Sequence, residues 1–543
     1  MKSTVRIYNR PRVIRARLRP PILIAIVGLG LAARMAGIAF GLPNVLAHPD
    51  EARIANAAVG FLGGTLHPGF FNYPSLYLYV VGSLDAVFCA AAVAGARFDS
   101  IGACAGSWPS RPEPFIMTAR LTSVVAGTLT ILLTYRLTRR FAAEGASLAA
   151  AAFLAVAFLH VRDSHFGVTD VSMTALLVLA VLLLVRAHDS RRLLDVAVAG
   201  FVAGLAISTK YGAAIVAVPF AASLLVRSKD SAVSELAAHS LAAATAAVAG
   251  FLLGTPFAVI DFNRFWTDVS YESSHLAAGH AIDLGVGWRY HLTTTLPQGV
   301  TVPMLAAACA GAAWMLRQKT PRAWQLLAFP LAYYAVAGRG HTVFARYMVP
   351  IVPFVCVLAG IALGQVSGWL ARRTGRSAGF ILAAGAIALA APGAWKDWHL
   401  GRLLARTDSR VLAAEWLTRN VPAGATIYQT GSHYGRPDLS RAPAAPGILR
   451  YDETAMTFRT TSGEAVASPD WLVVQEHPLI VYSRVPEVIR AMLPAYDLRH
   501  VVRAIDMEAW HVFDQQDALF VPLEGFDGAE RPGPNLYVYS RRE

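Results

Sequence analysis

Twelve apolar runs, each about as long as a bilayer is thick, dominate the first 394 residues. They fall near 22–40, 75–96, 115–137, 145–161, 170–186, 193–208, 211–226, 236–256, 299–316, 323–337, 346–365 and 378–394. A helix needs roughly 20 apolar residues to cross a membrane, and inside lipid it must satisfy every backbone polar group by itself. A soluble core cannot hide so many such runs. Composition agrees: 55% of the 543 residues are hydrophobic and only 15% are charged, with a mean hydropathy of +0.45. The fold class expected is an α-helical polytopic membrane protein. From residue 395 the pattern turns mixed, polar and turn-rich. Val411, Leu412, Trp416 and Leu417 give 408–420 a helical spacing, and ATIYQT, DWLVVQ and NLYVYS read as strands. Two domains are expected, a membrane domain over 1–394 and a small α/β domain over 395–543.

The net charge of +13 is a statement about topology rather than nucleic acid. Lys2, Arg6, Arg10, Arg12, Arg15, Arg17 and Arg19 precede the first run with no acid among them. Further cations mark five loops: Arg136, Arg139 and Arg140; Arg186, Arg191 and Arg192; Arg227 and Lys229; Arg317, Lys319 and Arg322; Arg372, Arg373 and Arg376. The positive-inside bias puts these loops and the N-terminus in the cytoplasm. Parity then forces one run not to cross, and 75–96 is the economical choice, as a juxtamembrane or re-entrant helix. About eleven crossings remain, and the C-terminal domain is extracytoplasmic. The run 21–40 is read as a retained helix rather than a signal peptide, because no small-residue cleavage site follows it. The four cysteines have no metal-ligand spacing. A Cys89–Cys104 disulfide requires both to face outside, and the sequence weighs against it.

This topology gathers acids on the outer side. Asp50 and Glu51 follow the first helix directly, and Asp170 opens a later one. Each can be read as an ordinary helix-start residue, an N-cap or a partner of the helix dipole. Each can equally be a carboxylate aimed along the membrane surface. Arg162 and Asp163 read as an interfacial ion pair. Arg34, Arg120, Lys210 and Arg346 sit close to hydrocarbon, where cations are costly and pair with something. They can snorkel or clamp a phosphate, whose oxygens a guanidinium matches. His275, His280 and His291 lack a zinc spacing. Trp266, Trp288 and Tyr290 read as an interfacial aromatic belt.

The order of several short motifs resembles a known superfamily. HPDEARIANAAVGFLGG is followed by FNYPSLYLYVVGSL, ARLTSVVAGTLTILLTYRLTRRF, HVRDSHFGVTDVSMTALLVLA, STKYGAAIVAVPF and ARYMVPIVPFVCVLAGIAL. This series over 20–365 is similar to the GT-C glycosyltransferases, in the branch of protein mannosyltransferases and aminoarabinose transferases. The tail segment DSRVLAAEWLTRNVPAGATI resembles extracytoplasmic tails of bacterial members. The resemblance implies the GT-C fold, a bacterial inner membrane and transfer from a polyprenyl-phosphate-linked sugar to a lipid, glycan or protein hydroxyl. It puts catalytic acids at Asp50 and Asp170, with Glu51 beside the first. It makes Arg346, next to Tyr347, the phosphate-side cation; Lys210, Arg120 and Arg34, as cations close to hydrocarbon, are the further substrate-binding candidates. Where the aminoarabinose branch has Glu-Lys-Pro-Pro, this chain has Asn72-Tyr73-Pro74-Ser75. The two charged roles are therefore missing, Asn72 and Tyr73 stay as substrate contacts, and no motif supports a bound metal.

The expected chemistry is inverting. Asp50 would act as general base on the acceptor hydroxyl, strengthened by burial, while cations stabilise the departing phosphate. The rival readings are a multi-helix secondary transporter or lipid-linked substrate flippase, which also combines many helices with intramembrane charge, and a non-catalytic scaffold. Sugar, acceptor and prenyl length are not encoded in any motif.

Overall fold

The computed structural model describes residues 20–228, 231–442 and 446–542. The N-terminal cations up to Arg19, and Lys229, lie outside the described residues. The chain begins with α1 (Pro20–Met35), then passes through short turns to α2 (Glu51–Gly60), α3 (Leu76–Ala94) and α4 (Ile101–Gly106). The membrane helices continue with α5 (Glu113–Thr138), α6 (Glu144–Ala155), α7 (Phe158–Asp163), α8 (Thr169–Ser190), α9 (Leu193–Ile207), α10 (Ala217–Arg227) and α11 (Val233–Gly254). A long excursion carries α12 (Phe257–Ile260), α13 (Phe262–Ala278) and α14 (Gly287–Tyr290). Then come α15 (Leu296–Val300), α16 (Val302–Arg317), α17 (Pro321–Ala337), α18 (Val352–Thr374) and α19 (Ala378–Leu404). The run expected at 145–161 is broken at Val156–Ala157 into α6 and α7. α19 continues to Leu404, past the 394/395 boundary read from composition.

Among the described residues, six helices are long and apolar enough to cross a membrane, or seven if the bent pair 287–300 and 302–317 is one span. Shorter apolar helices, among them α1, α6 and α9, pack beside them. Small residues let neighbours approach closely: Gly200, Gly204 and Gly250 bring α9 and α11 backbone to backbone, where an added Cβ would sit within 2.4 Å of a carbonyl oxygen. The described basic loops gather at one end, where Asp189 meets Arg140 at 3.8 Å and Arg322 at 2.6 Å. The opposite end carries the acids and the C-terminal domain. There Gly37, at φ +77°, turns the chain after α1 against Leu404, which a side chain would strike.

α3 is apolar enough to cross, yet its contacts lead back to the acidic end. Tyr77, near its start, donates to the Ala119 carbonyl of α5 at 2.8 Å. Further along, Asp85 accepts from Thr118 at 2.5 Å, and Phe88 meets Phe115 with ring centroids 5.8 Å apart. The partners on α5 climb toward its N-terminus, so α3 packs along the N-terminal part of α5. Cys89 and Cys104 are joined as a disulfide beyond it, contrary to the expectation of free thiols. Sequence separation gave no sign that α3 and α4 fold back on each other.

The C-terminal domain begins with α20 (Ser409–Asn420). Its strands are β1 (Thr426–Gln429), β2 (Gly447–Ile448), β3 (Arg450–Asp452), β4 (Thr457–Arg459), β5 (Ala465–Val466), β6 (Trp471–Glu476), β7 (Tyr496–Val502) and β8 (Asn535–Arg541), with α21 (Ile480–Ser483) and α22 (Glu487–Met492) between β6 and β7. A mixed sheet has the order β2-β1-β6-β8-β7, with β2-β1-β6 parallel and β8 antiparallel to both neighbours. β3, β4 and β5 make a small antiparallel sheet. Ala413 and Leu417 of α20 pack on Ile427, Val473, Leu536 and Val538. Leu519, Val521, Leu523 and Phe526 instead share the core of the membrane helices, and Arg441 pairs with Glu113 at 2.8 Å. The domain is seated on the bundle by apolar packing as well as charge.

One buried ion pair sets the geometry of the acidic end. Arg120 of α5 grips Glu51 at the start of α2 with two bonds, Nε to Oε1 at 2.8 Å and Nη2 to Oε2 at 2.7 Å. Its Nη1 donates to the carbonyls of Ile38 and Phe40, and the Phe40 ring lies 4.0 Å from the guanidinium. Glu51 Oε1 also accepts the Gly167 N–H at 2.7 Å. Both side chains are about 1% exposed. Removing one partner of such a pair leaves a buried charge and costs about 3–5 kcal/mol. Arg120→Met should therefore lower the melting temperature of the purified protein markedly, and adding Glu51→Gln should recover part of the loss. Equal melting of the single variant and native protein would show that the pair is not holding α2.

Candidate active site

Adjacent residues on a helix point about 100° apart, and this separates the two acids at the start of α2. Glu51 turns inward to Arg120. Asp50 turns to the open side. It stands at the N-cap position but makes no side-chain capping bond; its backbone N–H donates to His48 Nδ1 at 3.2 Å. Its Oδ2 lies 3.1 Å from Arg346 Nη2. The helix-start reading thus fits Glu51, while Asp50 is the acid presented to the cluster.

Arg346 lies in the tight turn Ala345–Ile351 that leads into α18. Phe344 packs under its guanidinium at 4.3 Å. The other terminal nitrogen, Nη1, meets Asp517 Oδ2 at 3.2 Å. Asp517 comes from the C-terminal domain, as do Asp514, whose Oδ2 accepts the Ala345 N–H at 2.8 Å, and Gln516, whose Oε1 accepts the Val343 N–H at 2.6 Å. Sequence reasoning missed all three. The available signal was the polar DQQD segment set between Phe513 and the apolar ALFVPL.

Asp170, in the first turn of α8, pairs with Lys210 at 2.6 Å, and the Lys210 ammonium lies 5.4 Å from the Tyr347 ring. The Tyr73 hydroxyl lies in the fields of both Asp50 and Asp170. Asp50, Asp170, Lys210, Arg346, Tyr73 and Tyr347 are thereby brought together. Asn72 sits at the margin, donating to Glu272 of α13 at 2.8 Å and accepting from Arg53 at 3.1 Å. Glu272 was another residue without a sequence signal.

Three expected site residues are elsewhere. Glu51 and Arg120 consume each other's charge in the core. Arg34 is fully buried and neither snorkels nor reaches the cluster: it donates to Ser164 and to the Gly30, Ala155 and Leu154 carbonyls and meets His160 Nδ1. Every nitrogen of that guanidinium is engaged, so none is left for a phosphate. His275 and His280 touch at 3.0 Å, while His291 bonds Thr295 instead. Among the described residues, no group of three or more His, Cys, Asp or Glu side chains is arranged to hold a metal ion.

Burial alone would raise the affinity of Asp50 for a proton, as expected from the sequence. Arg346, His48, Lys210 and the Tyr73 hydroxyl outweigh it, and the carboxyl titrates below its ordinary range. Burial and the Asp50 charge hold Tyr73 neutral, well above the usual phenol range. Burial pushes His48 down from the ordinary imidazole value, against the raising charges of Asp517, Glu51 and Asp50. Asp514 is pushed up by burial and by the neighbouring Asp517 charge, with Arg162 and the Ala345 N–H opposing.

A family model for dolichyl-phosphate-mannose-protein mannosyltransferase matches residues 116–257. No curated protein matches the chain. Among solved structures, the archaeal oligosaccharyltransferase AglB from Archaeoglobus fulgidus, in complex with an inhibitory peptide and a dolichol-phosphate, aligns at TM-score 0.52 and 13% identity. The alignment covers 78% of this chain and 64% of that one, so this chain spans under two thirds of that relative. ArnT from Cupriavidus metallidurans in the apo state aligns at TM-score 0.53 and 14% identity over 95% of this chain and 97% of that one. ArnT bound to undecaprenyl phosphate aligns at 0.50 with the same identity and coverage. The chain has the GT-C fold that its motif order implies.

The raised Asp514 carboxyl has a consequence for stability. The unfolded chain releases this proton near the ordinary carboxylate value of about 4, while the folded chain still holds it. Asp514 therefore subtracts stability as pH rises above about 4. Asp514→Asn should flatten that decline in melting temperature relative to native protein; parallel curves for the two proteins would contradict the assignment.

Proposed function

We propose that this GT-C chain is a membrane glycosyltransferase that takes a sugar from a polyprenyl-phosphate donor and passes it, with inversion, to an acceptor hydroxyl on the extracytoplasmic face. The observation that carries the reading is Arg346 held against Asp50 at 3.1 Å, which pairs a phosphate-binding cation with an acid able to take a proton. The ArnT fold seen with undecaprenyl phosphate supports the donor class. The outer placement is supported by the basic loops lying at the opposite end and by the Cys89–Cys104 disulfide beside the acidic end, since disulfides persist in oxidising compartments.

The chemistry follows from charge. A sugar–phosphate bond needs no proton on its leaving group when cations stabilise the departing phosphate. Nη2 of Arg346 turns from Asp50 to that phosphate, a hydrogen bond strengthened by charge on both partners. Asp50 then loses the partner that held its proton affinity down, and becomes a better base as the donor arrives. It accepts the acceptor hydroxyl proton while the hydroxyl oxygen attacks the anomeric carbon from the face opposite the phosphate, which inverts that centre. Neutral Tyr73 stands beside Asp50 as a further polar wall of the space. Asp170, neutralised by Lys210, faces the same space and takes sugar or acceptor hydroxyls. Asn72 and Tyr347 complete the walls.

Purified protein in proteoliposomes should move sugar from a polyprenyl-phosphate sugar to an acceptor; solute transport without transfer would replace this reading by the transporter. Asp50→Asn should abolish transfer while expression and undecaprenyl phosphate binding persist, and near-native turnover would remove Asp50 as base. Arg346→Gln should slow transfer by about 10²–10³. It should also move the acidic limb of kcat/KM upward, because desolvation of Asp50 is then opposed by less positive charge. A limb that stays in place or falls would detach Arg346 from the base.

A further inference from the structure

The C-terminal domain reaches the cluster through one segment, residues 513–521. Asp514 and Gln516 fasten it to the backbone on either side of Phe344. Gln516 Nε2 also donates to the carbonyls of Ile282 and His341 at 2.8 and 2.9 Å. The segment is sealed: Asp514, Gln516 and Asp517 are at most 3% exposed. It delivers Asp517 to Arg346 Nη1 at 3.2 Å.

The two terminal nitrogens of Arg346 thus have unlike partners. The Asp50 side chain on Nη2 is 26% exposed, whereas the Asp517 side chain on Nη1 is 4% exposed. A phosphate can approach the Asp50 side from the open face. It cannot approach the Asp517 side without lifting the domain. Nor can Arg346 leave Asp517 cheaply, since a buried carboxylate without a partner is strongly destabilising.

We propose that Asp517 is a positioning residue supplied by the C-terminal domain, holding Arg346 from its buried side so that only Nη2 passes between Asp50 and a donor phosphate. The proposal rests on reading Arg346 as the phosphate ligand. Without Asp517, both terminal nitrogens fall to Asp50 in a forked pair. That pair occupies the base and withholds the cation at once. The membrane helices alone therefore do not make a complete site; the domain contributes the anion that divides the guanidinium between its two tasks.

The test is a double-mutant cycle on the full-length protein, read by affinity for undecaprenyl phosphate. Asp517→Asn should weaken binding by about tenfold in the native background. In the Arg346→Gln background the same substitution should not weaken it, because the residue acts only through Arg346. Weakening by the same factor in both backgrounds would make Asp517 a domain-docking residue. Tightening in both would make it a mere repulsive charge. Either result overturns the proposal. A second cycle needs no lipid. Arg346→Gln leaves Asp517 buried and unpaired, so adding Asp517→Asn should raise the melting temperature above that of Arg346→Gln alone; a further fall would refute the pairing. Should native protein bind no undecaprenyl phosphate, the donor reading fails, and the melting cycle still decides whether Asp517 holds Arg346.

Discussion

A charge survives among apolar helices only where an opposite charge or several dipoles meet it, and the Glu51–Arg120 pair is where this chain meets that condition first. Its two bonds tie α2 to α5, and Gly167 adds the turn before α8. With Glu51 committed to the core, helical geometry leaves Asp50 facing the other way. The acid proposed for chemistry is held in place by a neighbour that does none. Exchanging the roles of these two residues would require α2 to rotate by about a quarter turn, which the bidentate grip prevents.

Around Asp50 the same rule acts with less slack. Arg346 serves two carboxylates, Asp50 and Asp517, and Lys210 is already matched to Asp170. Asp163 pairs with Arg162 nearby at 3.0 Å. Carboxylates outnumber cations here even before Asp514 is included. A phosphodiester donor would add one more negative charge to that imbalance, and Asp514, with its raised proton affinity, is a group able to hold a proton. The proton affinities of these groups are thus coupled in one small volume. No single side chain there can be altered without changing what its neighbours do.

The fold places this volume where two kinds of structure meet. The bundle supplies helix starts and the turn before α18, all at one end. The C-terminal domain supplies a segment that enters from above and shares the bundle's apolar core through Leu519, Val521, Leu523 and Phe526. Its seating is more than a tether between domains, because backbone N–H groups at Val343 and Ala345 are satisfied from the domain. Neither part would present the same cluster by itself.

Much of this was legible in the chain. Apolar runs, basic loops and the positions of Asp50, Asp170, Lys210 and Arg346 near helix ends follow from local composition, because hydrophobicity and helix-start chemistry act over a few residues. Pairing was not legible. Glu51 and Asp50 are neighbours of the same charge, and only the position of Arg120 in three dimensions tells which is structural. Arg34 and Arg120 have the sequence context of phosphate ligands, yet carbonyls and Glu51 use up their donors. Asp517 lies 171 residues from Arg346, and no local pattern can announce a partner so distant. The sequence by itself determined which segments enter lipid and which ionisable groups stand at their ends, since those are properties of short stretches in a given solvent. The tertiary structure alone decided which charge meets which, since ion pairing depends on distances that chain order does not contain.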